Sequence, residues 1–132
     1  MNSPRTILLN EVAANGSSVA MNTANDRHIA VEICMTAFTG TVKLVGSQAD
    51  VENPPAFGSA ASVSNPWTYV KSIDLIDGSA VNGGTGKTGA ATTAVYNLEV
   101  NTNIMKWIGA EVSGFAGGTV TVRAVSGDSE RE

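Results

Sequence analysis

A glycine-rich run, Gly83-Gly84-Thr85-Gly86-Lys87-Thr88-Gly89, is the first place in this 132-residue chain where chemistry could reside. Gly86-Lys87-Thr88 matches the end of a phosphate-binding loop, whose backbone amides and lysine cradle phosphates. Two features stand against that use. In the full pattern the motif's first glycine falls at Val81. The loop must also open a helix, whose N-terminal amides hold the anion. Here it runs into Thr92-Thr93-Ala94-Val95-Tyr96-Asn97-Leu98, which alternates as a strand does. The expectation is a glycine-rich loop between strands.

His28, Glu32 and Cys34 fall on one strand face, which invites a nucleophile-and-base reading. Six residues of strand separate His28 from Cys34 by roughly 20 Å, and no second histidine exists to act as the base. Asp74, Asp77, Glu99 and Glu111 could gather for calcium binding or glycoside cleavage. They lie on different strands, without a D-x-D-x-D-G loop, so solvated charges at strand edges are expected. Trp67, Tyr69, Tyr96 and Trp107 could offer sugars a stacking surface. Trp67 and Tyr69 follow the apolar phase of their strand and belong in the core. Trp107 is out of phase with Ile108, Ala110 and Val112, which puts it at a bulge or against something outside the first core. No catalytic, metal-binding or cofactor-binding set emerges, and no enzyme is expected.

The elements that carry these residues are strands. Thr6 to Val12 reads as the first, ended by Asn15-Gly16-Ser17-Ser18, with a short second strand around Val19-Ala20-Met21. Two segments read as β-hairpins because alternation of period two flanks a turn with Phe and Gly. The first runs from Val31-Glu32-Ile33 through Phe38-Thr39-Gly40 to Val42-Lys43-Leu44. The second runs from Ala110-Glu111-Val112 through Phe115-Ala116-Gly117-Gly118 to Val120-Thr121-Val122. Between them lie a long connection over 46–66 with Pro54-Pro55 and Asn65-Pro66, a strand over Trp67 to Ile76, a glycine-rich loop over Asp77 to Thr88, and a strand over Ala94 to Val100. Residues 1–5 read as an N-terminal arm and 126–132 as a frayed polar tail. Seven or eight strands without an amphipathic helix predict one all-β domain over 1–132, a two-sheet β-sandwich of jelly-roll type.

Composition narrows the function classes. The net charge of −4 and the scattering of the 8 Lys and Arg disfavour nucleic acid and anionic membranes as partners. A single cysteine, Cys34, leaves no intramolecular disulfide and no multi-cysteine zinc site. The N-terminal Ile7-Leu8-Leu9 is too short for a signal-peptide core. No run approaches the ~18 apolar residues of a membrane span. Synthesis in a cytoplasm is the expectation.

The closing segment Lys106-Trp107-Ile108-Gly109-Ala110-Glu111-Val112-Ser113-Gly114-Phe115-Ala116-Gly117-Gly118-Thr119-Val120-Thr121-Val122 resembles that of small bacteriophage virion proteins, particularly capsid decoration (cement) proteins. Ile7-Leu8-Leu9-Asn10-Glu11-Val12 and Trp67-Thr68-Tyr69-Val70 fit the same style. The resemblance implies a non-enzymatic virion protein without cofactor that binds the major capsid protein or other virion subunits, commonly as a trimer. The 46–66 connection, with Pro54, Pro55 and Phe57, and the arm ending at Arg5 would then make the contacts, together with the off-phase Trp107. Two alternatives stay open, a phage tail or adhesion component and a carbohydrate-binding β-sandwich module.

Overall fold

Strand runs unbroken through both segments expected to turn. The computed structural model describes residues 5–17, 21–23, 28–49, 52–53, 66–101 and 105–126. Its strands are β1 (Arg5–Val12), β2 (Gly16–Ser17), β3 (Met21–Asn22), β4 (His28–Ser47), β5 (Trp67–Tyr69), β6 (Ser72–Asp74), β7 (Ser79–Val81), β8 (Lys87–Asn101) and β9 (Trp107–Ser126). The described residues contain no helix, so the all-β class expected from the sequence is the class observed.

The two hairpins are a correction. Each segment is a single strand of 20 residues, β4 and β9. These strands lie side by side, antiparallel, from Ile29 opposite Ser126 to Ser47 opposite Trp107. Their register breaks between Thr36 and Thr41, where β-bulges bend the strand without reversing it. Left-handed backbone at Ala37 (φ 45°), Gly114 (φ 62°) and Gly118 (φ 74°) supplies the bend. The two segments look alike because they are pairing partners that bend at the same place. A Cβ on Gly118 would strike the carbonyl oxygens of Thr36 and Ala37, so the bends nest backbone against backbone.

That bend folds the sheet over. Ile33 and Leu44 are eleven residues apart on β4, about 36 Å along a straight strand. Yet both line one small apolar cavity, with Val42, Val70, Val81 and Leu98. The two halves of β4 therefore enclose one core. Ile29, Val31, Ile33 and Met35 come from the first half, Val42 and Leu44 from the second, and Ala110, Val112, Val120, Val122 and Ala124 from β9. Phe38 sits in the crook, fully buried, its ring 6.1 Å from that of Phe115.

All nine strands join one antiparallel network, ordered β1-β9-β4-β8-β6-β7, with β2 and β3 beside β9 and β5 beside β4. Separately bonded sheets and jelly-roll wiring are thus not traced among the described residues. The same long strands serve both halves. The expected strand over Trp67 to Ile76 divides at Val70-Lys71, leaving β4 for β8: Val45 faces Tyr69, while Asp74 faces Leu98. The loop over Asp77 to Thr88 contains β7, which returns along β6 after a turn closed by Gly78 (φ 75°).

Candidate interaction face

Each ionisable side chain singled out for chemistry already has a structural partner. The Lys87 ammonium lies 2.7 Å from Asp74 Oδ2 and 4.6 Å from the centroid of the Tyr96 ring. The preceding amides turn inward: Thr85 and Gly86 N–H donate to the Asn82 carbonyl, and Gly84 N–H to its side-chain oxygen. Lys87 opens a strand, not a helix, and Gly86 is required because a Cβ there would meet the Val42 carbonyl. The loop and its lysine fasten β6 to β8. The Lys87 hydrogen bond holds the Asp74 carboxyl below its ordinary range, helped by the Ile76 N–H. Asp77 is lowered by the hydroxyl and the N–H of Ser79.

On β4, His28 Nδ1 lies 3.4 Å from Glu99 Oε2, and Arg123 donates to Glu32 at 2.9 Å. Arg123 also reaches Cys34 Sγ at 3.6 Å. Burial, then the Glu32 carboxylate, pushes the Cys34 thiol up, the wrong direction for a thiolate nucleophile. Glu111 accepts a 2.9 Å hydrogen bond from the Tyr69 hydroxyl, and Lys43 covers the ring of that tyrosine at 4.9 Å. Asp74 and Asp77 share the β6–β7 turn while Glu99 and Glu111 lie on other strands, and no three His, Cys, Asp or Glu among the described residues converge as metal ligands.

Trp107 is only 5% exposed and packs with Val45 and Trp67 in a second, smaller cluster, against which Tyr69 leans. Its phase differs because Val45 and Trp107 belong to the sheet face opposite the main core. Its indole N–H is buried without a hydrogen-bond partner among the described residues. Neither tryptophan offers a stacking surface. Arg5 opens β1 with its backbone opposite Val125. Pro54, Pro55 and Phe57 lie outside the described residues, as do residues 1–4 of the arm, 127–132 of the tail, and Val19 and Ala20.

The feature that sequence reading missed is the outer face of the half-sheet around His28 to Thr36. One row across it reads Ile7, Arg123, Glu32 and Asn97, each opposite the next, and Leu75 N–H donates to the Asn97 carbonyl at its end. The next row carries Thr121, Cys34 and Val95. Among the described residues the exposed large apolar side chains are Ile7 (50%), Leu75 (53%), Ile76 (87%) and Val95 (55%). Ile7 and Val95 lie on this face, and Leu75 and Ile76 form the turn at its β6 edge. A groove of about 250 Å³ crosses it, lined by Ala30, Glu32, Leu75, Asn97, Arg123 and Val125. A neighbouring groove of about 220 Å³ runs between Ile76 and Val95. The one signal in the sequence was Leu75-Ile76, an apolar pair in a turn that polar residues usually occupy.

No described protein family matches the sequence, and no curated protein does. Solved structures that share the fold include two phage-derived proteins. The SPBc2 prophage-derived protein YomS superposes with a TM-score of 0.69 at 10% identity, over 95% of this chain and 92% of YomS. The PBSX exported protein XepA superposes with a TM-score of 0.70 at 18% identity, over 94% of this chain. That match takes in 37% of XepA, so this chain corresponds to little more than a third of its length. The structural neighbours are phage-derived proteins, and the fold of this chain is theirs.

Proposed function

We propose that this chain is a non-enzymatic structural component of a bacteriophage particle, which binds the capsid surface and reinforces it as a decoration protein. The observation that carries the reading is the match of nearly the whole chain to the fold of phage-derived proteins. The surface suits the role. The polar and charged residues that could have done chemistry are engaged in holding strands together, as a structural component requires. Its target is the major capsid protein or another virion subunit, and its place is the virion.

Cosedimentation tests this. Purified protein is mixed with heads of the encoding phage that lack it, and with tails in parallel. The expected outcome is saturable binding to heads and a higher temperature for head disruption. Binding to tails alone would replace decoration by a tail role. Binding to neither would overturn the virion reading.

A further inference from the structure

We propose that the outer face built from β1, β9, β4, β8 and β6 packs face to face against a second copy of this chain, across a twofold axis lying between β9 and β4 and parallel to them. The inference goes beyond the virion role and stands on the geometry of the face alone. Such an axis keeps each row and reverses the strand order, so β9 of one copy lies over β4 of the other. Arg123 then faces Glu32 of the second copy, and Glu32 faces its Arg123. Val125 faces Ala30 and Thr121 faces Cys34, each reciprocally, as an isologous contact requires. Ile7, on β1, comes down on β8 of the second copy beside Asn97, where the groove walled by Leu75 is open.

Charge selects this occupant. The whole chain carries −4, which opposes association of two copies through most of its surface. This face carries Glu32 and Arg123 as a matched pair, complementary to itself when the strands are reversed, with Glu99 held beside His28 toward its β8 edge. The extent fits as well. Five strands at ~4.8 Å spacing and eight steps of ~3.3 Å along β4 give on the order of 600 Å² per copy, a little under the ~800 Å² of a standard interface. A reversible, concentration-dependent dimer follows.

The test is sedimentation equilibrium of the full chain from low micromolar to submillimolar concentration, with charge-reversed variants. The wild type is expected to pass from monomer to dimer. Arg123→Glu and Glu32→Arg are each expected to weaken the dimer at least about tenfold. Mixed in equal amounts, these two variants are expected to form a one-to-one heterodimer, because every facing pair is then opposite in sign. A merely structural role of the Glu32–Arg123 pair would not restore association, since each variant lacks that pair within its own chain. Ile7→Glu alters a half-exposed side chain, so the fold is kept and the dimer is expected to be lost. A wild type that stays monomeric throughout, or forms the trimer implied by the resemblance, would overturn the proposal. So would a variant mixture that remains monomeric, or an undiminished dimer in Ile7→Glu.

Discussion

Gly118 and Lys87 show how single residues hold this molecule in shape. Gly118→Ala places a carbon against the Thr36 and Ala37 carbonyls at a left-handed backbone position. It is expected to cost at least about 2 kcal/mol in urea unfolding. Gly117→Ala, where an added carbon meets open space, is expected to stay within about 0.5 kcal/mol. Equal losses at both sites would refute the nested bends. Lys87 keeps the Asp74 carboxyl below its ordinary range, which fixes a sign. A folded-state pKa below the unfolded value of about 3.9 contributes stability above that value. The contribution is lost as the pH falls through the lower folded value. Lys87→Met is therefore expected to destabilise at pH 7 by about 1–3 kcal/mol, with the gap to wild type closing in acid, below about pH 4. Unfolding curves across that range check it, and a gap that persists in strong acid contradicts it. At this scale the sequence was legible where a local rule applied. The absence of a glycine at Val81 and the alternation after Thr92 excluded a phosphate loop, and Lys87 indeed opens a strand. The partner of Lys87, thirteen residues away on β6, had no local signature.

At the scale of elements, the crook between the two halves of β4 and β9 decides the architecture, and Phe38 fills it. Phe38→Ala is expected to cost about 3–5 kcal/mol by chemical denaturation, the range for emptying a fully buried aromatic site. A loss under about 1 kcal/mol would mean that the halves are held apart from one another by something else. Strand positions were readable because one buried face imposes period two: Ile29, Val31, Ile33 and Met35 share a phase and share the core. Whether a strand turned or bent was not readable. Glycine with a left-handed neighbour serves a hairpin and a bulge alike. The choice is made by long-range pairing, here 16 paired positions between β4 and β9 that local sequence does not encode. Trp107 follows the same logic. Its anomalous phase was visible, but its burial depends on Val45 and Trp67, neither of them near it in sequence.

At the scale of the whole molecule, a sheet folded over its main core leaves an outer face that carries exposed aliphatic side chains and a matched ion pair. None of this was legible in composition. Ile7 and Val95 become a common surface only when β1 and β8 are placed on either side of β9 and β4. The fold is shared with phage-derived proteins over nearly the whole chain. In the proposed virion role, the chain is expected to be retained in the particle at a fixed ratio to the subunit it binds. The measurement that tests this most directly is quantitative mass spectrometry of purified particles of the encoding phage, separated into heads and tails. The account predicts this chain in the head fraction at a constant ratio to the major capsid protein. Its presence in the lysate with none in the particles would contradict the account.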